Sequence, residues 1–215
     1  MQGVIKMKKI FAMIMLVVML GSVWSASAED TSNALIIYFD YSENIDTTGM
    51  DVDAISHASI LGTREREISN LLVQKDEIAA HTGADVYSLR VVDLYAPNFM
   101  DMMGPAQEQK DNNAVMTFQE AFPDFADYDV IYLGSPVWWY GAPQSILSFL
   151  QQVDLSGKQI VFFGIHRGSY LAGIPEQIQE LQPNATVVDS FTVECRVDNE
   201  ETRRQINAFL DGLGV

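Results

Sequence analysis

Trp138, Trp139 and Tyr140 stand in a row between Pro136 and Gly141. Three large aromatics are a poor choice for a solvated turn. They suit a site that takes a flat conjugated ligand, because stacking on an aromatic face adds roughly 0.5–1.5 kcal/mol beyond burial alone. Pro136 stiffens the entry to this loop, and Gly141 lets the backbone approach closely. Neighbours in an extended stretch point opposite ways, which predicts that one tryptophan packs into the core and the other meets the ligand. Two more segments combine small polar side chains with aromatics or glycine: Asp40-Tyr41-Ser42-Glu43-Asn44 and Gly164-Ile165-His166-Arg167-Gly168-Ser169-Tyr170.

Other chemistries find less support. Ser135 precedes a proline and is not in a nucleophile elbow, so no Ser-His-Asp set is indicated. His57, His81 and His166 have no metal-ligand spacing, and no metal site is expected. Asp46, Asp51 and Asp53 surround Gly49, but the closing glutamate of a calcium loop is missing, so this stretch reads as a solvated acidic loop. Cys195 is the single cysteine; it ends an apolar alternating stretch and reads as a buried, inert thiol.

The elements that must position these residues alternate along the chain. Ala34 to Phe39 is a continuous apolar run and predicts a buried strand. Ile68, Leu71, Leu72, Ile78 and Ala79 fall at helical spacing, and His81-Thr82-Gly83 ends that helix. Strands are predicted at Asp85 to Val92, at Val130 to Leu133 closed by Gly134, at Ile160 to Phe163 closed by Gly164, and at Thr186 to Val193. Helices are predicted over Pro105 to Glu120, Pro143 to Val153, Pro175 to Leu181 and Glu200 to Leu213. Five strands alternating with helices imply an α/β fold: a three-layer sandwich with a parallel five-stranded sheet. In such a sheet ligands bind at the carboxyl ends of the strands, where the strand order reverses. All three polar and aromatic segments follow predicted strands. Asp40 to about Glu67 forms an unusually long connection, an insertion at about 40–67.

The front of the chain has the layout of a secretory signal. Lys6, Lys8 and Lys9 precede the uncharged apolar run Ile10 to Leu20, then Ala26-Ser27-Ala28 and Glu29. That run is short for a bilayer span, which needs roughly 20 apolar residues. Cleavage after Ala28 is therefore expected, leaving an exported domain over 29–215. The whole chain carries a formal charge of −16; the processed one would set 29 acidic against 10 basic residues, or −19. Such a surface repels nucleic acid and anionic lipid and suits a basic partner or none.

Together, Tyr38-Phe-Asp-Tyr-Ser-Glu-Asn44, Gly134-Ser-Pro-Val-Trp-Trp-Tyr-Gly141, Phe149-Leu150 with Ser156-Gly-Lys158, and Gly164-Ile-His-Arg-Gly-Ser169 resemble the flavodoxin family, and within it the flavodoxin-like proteins of anaerobic bacteria. The resemblance runs from about Ala34 to the carboxyl end. It implies a flavodoxin-like fold and non-covalent binding of flavin mononucleotide (FMN). It assigns Tyr41, Ser42 and Asn44 to the loop around the ribityl phosphate. Ser135, Pro136, Val137, Trp138, Trp139, Tyr140 and Gly141 match the loop along the isoalloxazine ring, and His166, Gly168 and Ser169 the loop at its other edge. The family's phosphate loop, Ser-x-Thr-Gly-Asn-Thr, is not reproduced: Ser42-Glu43-Asn44 leads into the insertion, and Ser69-Asn70-Leu71 and Gly62-Thr63 compete for the remainder. Three roles stay open at this level. They are an electron carrier docking on a redox partner with a basic face, a small FMN-dependent reductase, and a non-redox binding module on the same scaffold.

Overall fold

The computed structural model describes residues 33–45 and 69–214. The expected leader over 1–28 and most of the insertion at about 40–67 lie outside the described residues.

Five strands form one parallel sheet: β1 (Ala34–Tyr38), β2 (Asp85–Ser88), β3 (Val130–Pro136), β4 (Gln159–His166) and β5 (Thr186–Glu194). Their order is β2-β1-β3-β4-β5. The chain steps outward from β1 to β2, then crosses back to lay β3 on the other side of β1. This reversal opens a crevice above the carboxyl ends of β1 and β3.

Five helices cover the two faces: α1 (Asn70–Thr82), α2 (Phe99–Asp111), α3 (Gln144–Gln152), α4 (Ile174–Leu181) and α5 (Asn199–Leu213). Alternate residues of the buried strands feed two cores. Ile36, Tyr132, Val161 and Phe163 pack with Leu71 and Ile78 of α1 and Ile206 and Leu210 of α5. Leu35, Ile37, Leu133 and Phe162 pack with Ile146 and Phe149 of α3 and Ile174 and Ile178 of α4. Burial on both faces is why these strands read as unbroken apolar runs.

The first helix is framed by its own residues. Ser69 caps it, its hydroxyl accepting from the Leu71 and Leu72 amides at 3.1 and 3.4 Å, and Gly83 leaves it in the left-handed conformation at φ 66°.

Four sequence boundaries need correction. The strands predicted to close at Gly134 and Gly164 run on to Pro136 and His166. Gly134 is not a breaker: a Cβ there would lie 2.2 Å from the Phe163 ring, so glycine is what lets that ring pack over β3. The helix predicted over Pro105 to Glu120 lies instead at Phe99–Asp111, with Pro105 inside it. Asn98 decides the start, its side chain accepting from the Asp101 amide at 2.9 Å. The residues after it are extended and bridge back, Val92 N–H donating to Thr117 O at 2.9 Å and Gln119 N–H to Arg90 O at 2.8 Å. That detour also ends β2 at Ser88 rather than Val92. Among the described residues no helix is long and apolar enough to cross a membrane.

Candidate functional site

Above β1 the chain makes one 3-10 turn, Tyr41–Glu43, and Asp40 organises it. The Asp40 carboxylate is fully buried and accepts from the Ser42 amide at 2.9 Å, from the Ser42 hydroxyl, and from the Ser69 hydroxyl at 2.5 Å. Through Ser69 it is coupled to the first turn of α1, where unpaired backbone N–H groups favour negative charge. Burial still wins over these bonds and pushes the Asp40 carboxyl up to about 6. Asn44 locks the far end of the turn. Its amide donates to Asp40 O at 2.8 Å and Leu89 O at 3.2 Å, and its oxygen accepts from Val91 N–H at 2.8 Å. Glu43 accepts from the Tyr38 hydroxyl at 3.0 and 3.1 Å and from Ser88. Tyr41 is buried, with its hydroxyl donated to Ala96 O.

Above β3 the aromatic run folds into a tight reversal. Trp138 N–H donates to Gly141 O at 2.9 Å and Gly141 N–H to Trp138 O at 3.1 Å. Trp139 and Tyr140, the two central residues, take φ of 51° and 55°. Positive φ at both positions is the requirement of a type I′ turn, which normally recruits Asn and Gly. Bulky side chains there store backbone strain, which concentrates at functional sites. The strain puts two aromatic rings outside: Trp139 is 42% and Tyr140 82% exposed. Trp138 faces the other way. Its indole is buried edge-on against Phe39, Tyr41 and Tyr95, with centroids 5.5, 5.8 and 5.3 Å away.

Two helices brace the turn. From α2 the Lys110 ammonium donates to the Trp138 and Trp139 carbonyls at 3.2 and 3.3 Å. From α4 the Gln177 oxygen accepts from the Ala142 amide at 2.9 Å. Beneath it Ser135 is buried with a hydroxyl that finds no partner among the described residues. Orphaned buried polar atoms are rare in native structures.

Above β4 the loop repeats the same backbone signature, with φ of 95° at Gly168, 52° at Tyr170 and 48° at Ala172. His166 is buried; its Nδ1 accepts from the Gly168 amide at 2.9 Å, which leaves the proton of the neutral ring on Nε2. The exposed Tyr170 ring lies over it at 4.9 Å and 37°. Burial pushes the imidazole below its ordinary value, against the opposing pull of Glu194. Protonation would forfeit the Gly168 bond, so this loop keeps its support at neutral pH and loses it as pH falls through the native pKa. Ring-proton titration by NMR should give a midpoint below about 6.5, and a midpoint above that would contradict this account.

The predicted site residues thus divide. Trp139, Tyr140, Gly141, Gly168 and Ser169 lie on the loops at the carboxyl edge. Ser135, Pro136, Val137 and His166 are the buried supports from which those loops spring. Trp138, Tyr41 and Asn44 are structural: the indole and phenol fill the core, and the Asn44 amide is spent on backbone. Ser42 is half-buried and bonded to Asp40. Asp40, Tyr170 and Lys110 are additions that the sequence does not single out. Asp40 and Tyr170 sit inside two of its polar segments, but nothing near Lys110 in sequence signals a contact 28 residues away. A hollow of about 420 Å³ lies between Trp139 and α2 residues such as Met103 and Gln107.

A family model described as Flavodoxin matches residues 70–209, well over half of the chain. A candidate flavoprotein of Bacteroides eggerthii superposes with a TM-score of 0.61 at 19% identity, covering 86% of this chain and 99% of its own. Another, of Bacteroides uniformis, gives 0.60 at 16% identity, with 82% and 98% covered. A flavoprotein of Lactobacillus acidophilus, solved in complex with FMN, gives 0.55 at 15% identity, with 81% and 98% covered. No curated protein sequence matches the chain. At such identities the structural likeness speaks for the fold.

Proposed function

Since the chain belongs to the flavodoxin family, we propose that it holds FMN without a covalent bond above β1, β3 and β4 and works in electron transfer. The observation that carries this reading is the pair of strained, outward-facing aromatics Trp139 and Tyr140 beside the crevice where the strand order reverses.

The residues fit a flavin best at its ring. Trp139, Tyr140 and Tyr170 offer exposed aromatic faces on two adjoining loops, and the Ser135 hydroxyl below has unused hydrogen-bonding capacity. At the phosphate end the dipole of the first turn of α1 suits an anion, although the Ser69 hydroxyl is given to Asp40 and the Leu71 and Leu72 amides to Ser69. The buried Asp40 carboxylate beside them opposes it. The bound flavin would supply the redox chemistry, and the chain would supply binding, orientation and field.

A carrier is favoured over a reductase by charge. The acidic surface disfavours approach of nicotinamide dinucleotides and favours a redox partner with a basic face, with association that slows as salt rises. The proposal includes export, resting on the Lys8 to Ala28 sequence. Amino-terminal sequencing of the exported protein should find a start at or near Glu29; an intact Met1 or Met7 on a membrane-bound product would refute it.

The protein should purify yellow, or take up FMN on titration with quenching of both tryptophan and flavin fluorescence. A colourless protein that FMN leaves unchanged would overturn the flavin reading. With flavin bound, sustained oxidation of NADH or NADPH with a quinone acceptor would replace the carrier by a reductase.

A further inference from the structure

The Trp138–Gly141 reversal has no residue at its centre that prefers a left-handed backbone. Non-glycine residues there store backbone strain and persist only when surrounding contacts over-determine them. The reversal's own two hydrogen bonds are what any such turn has. The additional contacts come from outside, and the Lys110 ammonium makes two of them, to the carbonyls of Trp138 and Trp139.

We propose that Lys110 is the positioning residue of the aromatic turn, its ammonium bound to the Trp138 and Trp139 carbonyls holding Trp139 and Tyr140 in the geometry that receives the ring of a flavin. This rests on the flavin reading above and adds to it a residue on α2, outside the three loops.

Three independent features support the assignment. Among the described residues no carboxylate lies within salt-bridge distance of Lys110, although Asp111 follows it directly. The ammonium is partly withdrawn from water, and burial lowers its pKa, so the chain bears a solvation cost that the two carbonyls offset. The position of Gly141 is matched to the lysine. A Cβ at Gly141 would lie 2.7 Å from Lys110 Nζ and 2.9 Å from Gln177 Oε1, so glycine leaves room for the two braces, which a larger residue would push aside. Its φ is not positive, so room and not backbone freedom is what this glycine provides. Bonds to a charged donor are also stronger than neutral ones, which suits Lys110 to the task of holding strain.

The test uses the whole protein in three forms: parent, Lys110→Met and Lys110→Arg. Methionine keeps much of the stem and removes the donor; arginine keeps charge and donors. In flavin-free protein, hydrogen exchange at the Gly141 amide reads its bond to Trp138 O directly. Lys110→Met should speed that exchange about tenfold or more, and Lys110→Arg should restore most of the protection. Affinity for FMN and for riboflavin should fall together in Lys110→Met, again about tenfold, with the melting temperature little changed. Equal loss for the two ligands places the effect at the ring, since riboflavin has no phosphate. Gly141→Ala serves as a second probe: it displaces the ammonium without removing it and should speed exchange at the same amide. Unchanged exchange at Gly141 in Lys110→Met would overturn the proposal, and so would FMN and riboflavin affinities within twofold of the parent. If the parent itself binds neither flavin, the flavin reading fails, while the exchange measurement still decides whether Lys110 holds the turn.

Discussion

Replacing Trp138 by alanine should destabilise the fold by about 3–5 kcal/mol, whereas replacing Trp139 should cost little stability and weaken flavin binding by about 1–3 kcal/mol. The two residues are adjacent and chemically identical, so the contrast isolates position. Trp138 is buried edge-on among Phe39, Tyr41 and Tyr95, and truncation leaves a large cavity between the β1 and β3 loops. Trp139 has its indole substantially in solvent, and no aromatic neighbour packs on it among the described residues. Chemical unfolding of both variants measures the first effect, and titration with FMN the second. If Trp139→Ala binds as the parent does, Trp139 is not a stacking face, and the ring contact must rest on Tyr140 or Tyr170. If Trp138→Ala keeps parental stability, the aromatic box is not a core.

The second large effect belongs to Asp40. Its native pKa of about 6 stands above the ordinary 3.8 because burial disfavours the charged form more than the Ser42 and Ser69 bonds favour it. A carboxyl raised in this way stabilises the chain while protonated. The contribution is complete below about pH 3.8 and is lost as pH rises through about 6. Over that window the loss amounts to about 3 kcal/mol, because each pH unit separating the native from the unfolded pKa is worth about 1.36 kcal/mol. Other carboxylates on this acidic chain add their own pH dependence, so the quantity to follow is the difference between parent and Asp40→Asn. That difference should change by about 3 kcal/mol in favour of the variant between about pH 4 and pH 7, read as unfolding free energy from urea titrations. A difference that is flat with pH would mean that Asp40 ionises normally. The same substitution removes a negative charge beside the first turn of α1. FMN affinity should therefore rise relative to that of riboflavin, the ligand without the phosphate.

Much of the framework is legible in local pattern. The runs at Ala34, Val130 and Ile160 are apolar without alternation because both faces of those strands are covered. Gly83 marks the end of α1 because its backbone must turn left-handed there. Boundaries fail where a long-range contact overrides a local signal. Pro105 looks like a helix start, yet the Asn98 cap places it inside α2; Gly134 looks like a strand end, yet it yields space to Phe163 from the neighbouring strand.

Local pattern suffices for the class of fold, for the five strands and their alternation with helices, and for the three segments that line the carboxyl edge. These follow from periodicity, apolar runs and punctuating residues, all of which act over a few positions. Long-range packing settles which tryptophan is core and which is exposed, buries Asp40 against the start of α1, and brings Lys110 to the aromatic turn. Each of these depends on residues drawn together from distant parts of the chain. The left-handed backbone at Trp139 and Tyr140 is the clearest case, because neither residue type favours it and the side chains that brace the turn come from α2 and α4.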